Sequence, residues 1–189
     1  MVFTVFQISI ALWLLAETVF QVRQYFQGGK AKTTEWTSLL VIVFSAFAGG
    51  YLGRLVGHAV PWLHIPVDTT VLMSAGLVPL WLGAGLRLWA IVTLGRYFRG
   101  VVHVQEDHSV VRTGPYRVIR HPAYTGALVG AFGISLLLAN VASIAVLMAC
   151  LCAGVLYRIR VEERVLLEGL GEAYATYASQ TKRLVPGLW

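Results

Sequence analysis

Five long apolar runs, broken by loops that alternate between basic and neutral, constrain this chain more than anything else in it. The hydrocarbon core of a bilayer is crossed by a helix of about 20 mostly apolar residues. Runs near 2–26, 36–60, 70–94 and 123–139 have that character, and a fifth begins near 141 and continues into "YRIRVEERVLLEGLG". Only 13% of the residues are charged, 57% are hydrophobic and the mean hydropathy is +0.70. A soluble domain is roughly a quarter charged. The expected fold class is therefore an all-α integral membrane protein with about five transmembrane helices. The first run has no basic leading segment and exceeds a signal-peptide core, so it is expected to be a retained helix. Asn140 leaves room only for a turn between the fourth and fifth runs, which makes them a tight antiparallel hairpin. The chain is expected to be one membrane domain, 1–189: three N-terminal helices to residue 95, then a half carrying most of the polar residues from 96 on.

The net charge of +6 does not form a stripe that could lie along nucleic acid. Arg23, Lys30 and Lys32 fall in the first loop. Arg96, Arg99, Arg112, Arg117 and Arg120 fall in the third, and Arg158, Arg160, Arg164, Lys182 and Arg183 in the tail. The second and fourth loops carry no Lys or Arg of their own, with Arg54 at the edge of the second. By the positive-inside rule the N-terminus lies outside, and the third loop and the tail are cytoplasmic. Those two segments hold nearly all the polar chemistry and meet on one side. Cys150 and Cys152 sit in an apolar run and are expected to act as small hydrophobes. Gly49, Gly53 and Gly57, and Gly126 and Gly130, are spaced for close helix approach. No zinc-ligand spacing and no nucleotide-loop or nucleophile-elbow motif is present.

The stretch "TGPYRVIRHPAYTG", residues 113–126, packs basic residues and two prolines against the fourth run. A residue before proline is pushed out of helical conformation, and proline suits a first helical turn. His121–Pro122 thus marks a helix start, whose N–H groups and dipole can receive an anion, with Arg120, His121 and Tyr124 as added donors. On residue type alone, a basic stop signal with His121 as an ordinary cap explains the stretch better. Arg158 and Glu162 are four apart on the fifth helix and share a face, either as a surface ion pair or as site residues. Arg160 and Arg164 are expected to face headgroups. Glu17 and Arg87 lie inside apolar runs, where ionisable groups are functional candidates. Arg87 is expected to snorkel to the interface, and Glu17 has no assignment.

"HSVVRTGPYRVIRHPAYTG", an apolar helix, a short turn, another helix, then "RIRVEERVLLEGLGEAYATY" resembles the isoprenylcysteine carboxyl methyltransferase family, including its prokaryotic relatives. The likeness runs from about residue 94 onward. It implies S-adenosylmethionine as methyl donor, with S-adenosylhomocysteine as product, bound on the cytoplasmic side under the hairpin. Carried over by motif, cofactor contacts are expected from His103, His108, Ser109, Val110, Val111, Tyr116, His121, Pro122, Ala123, Tyr124 and Glu162. Arg158 is similar to the arginine that positions the substrate carboxylate, and Glu163 shares the catalytic assignment with Glu162. Valine at 110 departs from the family's common leucine. No metal is implied. The expected function is methyl transfer to a lipophilic acceptor, most plainly the carboxylate of an isoprenylcysteine-like molecule. Partners are then a lipophilic substrate and membrane lipids, not nucleic acid, in a prokaryotic inner membrane. A phospholipid or amine methyltransferase, a nicotinamide-dependent membrane reductase and a non-enzymatic lipid-binding protein are the competing readings.

Overall fold

The computed structural model describes residues 1–27, 31–98, 102–105 and 109–187, with the two strands described at the backbone alone. The helices are α1 (Val2–Gln27), α2 (Thr37–Ala59), α3 (Thr69–Leu94), α4 (Pro122–Ser135), α5 (Val141–Leu170) and α6 (Glu172–Gln180). A short antiparallel ribbon joins β1 (Ala31–Glu35) to β2 (Val102–Gln105). The fold is an integral membrane bundle, nearly all helical, with this ribbon as the exception to an all-α expectation. The ribbon ties the α1–α2 connection to the α3–α4 connection, so the two most basic loops lie on one side of the bundle, as their charge implies.

Among the described residues, four helices are long and apolar enough to cross a membrane: α1, α2, α3 and α5. The fourth run departs from the expected five spans. Its α-helix has 14 residues and continues as a single 3-10 turn, Leu136–Leu138. Ala139, at φ 47°, then reverses the chain, and the Asn140 side chain accepts from Ser143 N at 3.1 Å to cap α5. Pro122 fixes the other end of α4, so both bounds are local chemistry. At 1.5 Å per residue the 30 residues of α5 span about 45 Å, longer than the hydrocarbon core is thick. That excess carries Arg158, Glu162 and Glu163 to the ribbon side.

Close contact between α3 and α4 depends on missing side chains. A Cβ on Gly126 would sit 2.6 Å from Gly83 O, and one on Gly133 would sit 2.5 Å from Gly76 O. Gly49 and Gly53 serve the α2–α5 contact in the same way, against Cys150 Cβ at 2.9 Å and Ser143 O at 3.0 Å. Backbones this near gain dispersion contacts, which drive association in lipid where apolar burial gives no advantage. The core then fills around Phe6, Trp13, Met73, Leu80 and Ala84 on one side, and Val155, Ile159 and Leu184 on the other. Cys150 and Cys152 are free and half-buried in α5.

Candidate functional site

A cavity of about 610 Å³ opens among α1, α2, α3, α4, α5 and α6. Its wall is apolar where Trp13, Leu14, Leu39, Ile42, Ala46 and Val155 line it, and polar where Tyr116, Tyr124, Arg158, Glu162, Tyr174 and Tyr177 do. A site with one oily end and one hydrogen-bonding end suits an amphipathic ligand, or a polar and a lipophilic one side by side.

The polar end is built around Tyr124. Its hydroxyl donates to Glu162 Oε2 at 2.7 Å and accepts from Arg158 Nε at 2.7 Å. Arg158 is buried, and its Nη1 donates to Ser38 Oγ at 2.9 Å. The i, i+4 spacing on α5 does put Arg158 and Glu162 on one face, and a tyrosine from α4 bridges them there. Helix α6 closes the wall: Tyr177 Oη donates to Tyr116 O at 2.8 Å, and Arg112 donates to Ala173 O at 3.1 Å. Burial pushes the phenols of Tyr116 and Tyr174 well above their ordinary range, and Tyr177 up to about 12. All three are therefore neutral hydroxyls near pH 7. Among the described residues, Trp13 Nε1 and Tyr174 Oη are buried with no hydrogen-bond partner. Buried polar groups are nearly always satisfied. Both residues line the cavity, Trp13 on its apolar side and Tyr174 on its polar side.

Glu163 faces the other way. It lies outside the cavity wall and accepts from Arg120 Nε at 2.6 Å, Arg183 Nη2 at 2.9 Å and His121 Nε2 at 3.2 Å. The geometry gives it the work of fastening the segment before α4 to the C-terminal segment. The same fastening alters the expected anion site at the start of α4. Arg120 N donates to Lys182 O at 2.8 Å and His121 N to Arg183 O at 3.0 Å, while Tyr124 N and Thr125 N both donate to His121 O. The first two are occupied because residues 119 and 182 run side by side as a parallel bridge, and the last two by the first turn of α4 itself.

Of the sequence-derived candidates, the structure brings Ser109, Val110, Val111, Tyr116, Ala123, Tyr124, Arg158 and Glu162 to one cavity. His121 and Pro122 are buried behind its wall. His108 lies outside the described residues, as does the side chain of His103. Arg87 corrects the snorkelling expectation. It points inward to the cavity and makes a forked ion pair with Glu17, Nε to Oε2 at 2.8 Å and Nη2 to Oε1. The acid in α1 explains why: a guanidinium with a carboxylate beside it is held in place. Glu17 was visible as an intramembrane acid, though its partner 70 positions away was not. Ser38 gave no signal, since one serine at the start of an apolar run is ordinary.

A protein-family model, the isoprenylcysteine carboxyl methyltransferase family, matches residues 75–168, from within α3 to near the end of α5. A probable protein-S-isoprenylcysteine O-methyltransferase of Oryza sativa subsp. indica is 34% identical over 113 residues, 59% of this chain and 59% of the rice protein. The corresponding protein of Schizosaccharomyces pombe is 28% identical over 158 residues, 80% of this chain and 66% of its own. The solved structure of the eukaryotic intramembrane Ras methyltransferase of this name superposes with a TM-score of 0.62 and 25% identity. It covers 98% of this chain and 66% of the other. The matched segment thus spans about three fifths of the rice relative's length. These relatives are eukaryotic and give no support to a prokaryotic inner membrane. The helices that bear the Arg158–Tyr124–Glu162 arrangement lie within the matched segment, and the bundle around them superposes along nearly its whole length: the chain belongs to the isoprenylcysteine carboxyl methyltransferase family.

Proposed function

We propose that this protein is an S-adenosylmethionine-dependent carboxyl O-methyltransferase acting on an isoprenylcysteine-type acceptor within the membrane. The observation that carries this reading is the Arg158–Tyr124–Glu162 chain, set where the apolar and polar walls of one cavity meet. The donor, when bound, supplies a methyl group on a positively charged sulfur. In the transfer a carboxylate oxygen forms the new C–O bond, the C–S bond breaks with its electron pair left on sulfur, and no proton moves. No general base is therefore required, since a carboxylate is already ionised near pH 7. What the protein must supply is alignment and exclusion of water. Tyr124 holds the Arg158 guanidinium by Nε, and Ser38 holds it by Nη1, so its direction is fixed before a carboxylate meets it. Glu162, a carboxyl group in the polar part of the cavity wall, suits the cationic donor. Ser109, Val110, Val111, Tyr116, Ala123 and Tyr174 are the donor's other neighbours in this reading. The apolar wall from α1 and α2 takes the isoprenoid chain. The basic loops on the ribbon side support a cytoplasmic site by the positive-inside rule.

The test is transfer of radiolabelled methyl from S-adenosylmethionine to an N-acylated S-isoprenylcysteine by the purified protein in lipid nanodiscs. Base-labile methyl ester is the expected product. A wild-type protein that binds S-adenosylhomocysteine yet esterifies no isoprenylcysteine would move the acceptor class elsewhere.

A further inference from the structure

Helix α1 places a carboxylate inside the cavity, and the proposed chemistry gives it no part. Glu17 lines the wall with Arg87, and their side chains are only 14% and 16% exposed. The contact is forked, with Arg87 Nε and Nη2 each donating to a different oxygen of Glu17. That is the geometry by which an arginine takes any carboxylate. Arg87 Nη1 donates to Ala123 O at 3.0 Å, so each of its three nitrogens has a partner. Gln21, one turn along α1, donates to Glu17 Oε1 at 2.9 Å and also lines the cavity. Arg87 and Arg158 line the same cavity, Arg87 bonded to the carbonyl of Ala123 and Arg158 to the hydroxyl of Tyr124. A carboxylate that enters this cavity therefore shares it with an arginine that already holds an anion.

We propose that Glu17 is the resident anion of an exchange site: the acceptor's carboxylate displaces it from Arg87, and it returns once the acceptor has become a neutral ester. This rests on the carboxyl-methylation reading above. Two carboxylates beside one guanidinium in a water-poor wall repel each other strongly, so one of them yields. Gln21 is placed to keep hold of Glu17 when it lets go. Methylation changes the charge of the acceptor group from −1 to 0, and an ester carbonyl is a weak rival to a carboxylate for a cation. Re-formation of the Glu17–Arg87 pair then excludes the product from Arg87. Glu17 acts through Arg87, as a positioning residue that discriminates substrate from product by charge.

The experiment compares wild type, Glu17→Gln and Glu17→Asp in nanodiscs, with saturating S-adenosylmethionine and varied N-acylated S-isoprenylcysteine. The free methyl ester is titrated as an inhibitor in parallel. Removing the resident anion is expected to lower the acceptor KM at least threefold in Glu17→Gln and to strengthen inhibition by the ester at least threefold. Glu17→Asp keeps the charge, and with it the fold, but shortens the reach; a smaller fall in KM is expected there. A contact that merely holds α1 on α3 gives the opposite, a KM that is unchanged or higher, and that result in the folded variants overturns the exchange. A wild type that transfers no methyl to this acceptor removes the underlying reading and the exchange with it. Transfer by the wild type with no KM decrease in either variant overturns the exchange alone.

Discussion

The α3–α4–α5 unit and the α1 and α2 helices that flank it contribute to the cavity on different terms. Gly76, Gly83, Gly126 and Gly133 let α3 and α4 approach until carbonyls fill the space of absent side chains, and Gly49 and Gly53 bring α2 as near to α5. The family match begins within α3 and ends in α5, covering that unit. Helices α1 and α2 each lie against one member of it, α1 on α3 and α2 on α5, and present mostly lipid-facing apolar residues. Each nevertheless holds an arginine of the cavity wall with a polar side chain, Glu17 on Arg87 and Ser38 on Arg158. A flanking helix that is mostly packing and lipid-facing surface can thus set the site through one polar residue.

The largest effect expected belongs to the inner unit. Glu162→Gln and Arg158→Lys should each lower methyl transfer by about 100-fold or more, the scale of removing an aligned electrostatic partner. Thermal unfolding in detergent should barely shift for Glu162→Gln, and near-wild-type turnover in both variants would relocate the chemistry. Glu163→Gln should do the reverse. It leaves Arg120, Arg183 and His121 without their shared carboxylate, a loss of about 3–5 kcal/mol for a largely buried network, seen first as lowered unfolding temperature. Next in size is Gly83→Val, where backbone atoms of Gly126 and Gly130 occupy the space a side chain needs. Overpacking there should cost about 1–3 kcal/mol. Gly50→Val on α2, with nothing within 4 Å, should leave the unfolding curve in place.

Ser38→Ala sharpens the comparison from the flanking side. Loss of a hydrogen bond to a charged group costs about 1.5–3 kcal/mol. It should appear as a roughly tenfold or greater fall in kcat/KM with the fold retained, and an unchanged kcat/KM would leave α2 with packing alone. The smallest effect is a pH dependence at α6. Burial raises the Tyr177 phenol from its ordinary 10 to about 12. The neutral form is the one the fold favours, so this contribution is complete below pH 10 and is lost as pH rises toward 12. Wild type should lose stability in that window by a step that Tyr177→Phe lacks.

How far the sequence carried each part follows from the range of the interactions involved. The helix starts at Pro122 and the turn at Asn140 are set by adjacent residues, so they could be seen in the string of letters. The shared face of Arg158 and Glu162 follows from helical spacing alone. The shortness of α4 was hidden, because its last apolar residues tighten into a 3-10 turn without a change in hydropathy. The partners of Arg87 and Arg158 were hidden for a different reason. They lie 70 and 120 positions away, and nothing local in α1 or α2 encodes which way those helices turn. Glu162 and Glu163 show the same limit at its narrowest: neighbours in sequence, about 100° apart around the helix, with one in the cavity wall and one outside it.

The parallel bridge between residues 119 and 182 also bears on when the site comes into being. The segment before α4 takes its backbone partners from Lys182 and Arg183, and Thr125 takes Leu184 O at 2.8 Å. During synthesis those partners do not exist until some sixty further residues have been added. Through that interval, the α3–α4 glycine contact can form while the cavity wall stays open. Maturation of this protein is thus divided in time, with the scaffold available early and a shaped pocket only after the segment at 182–184 has been made.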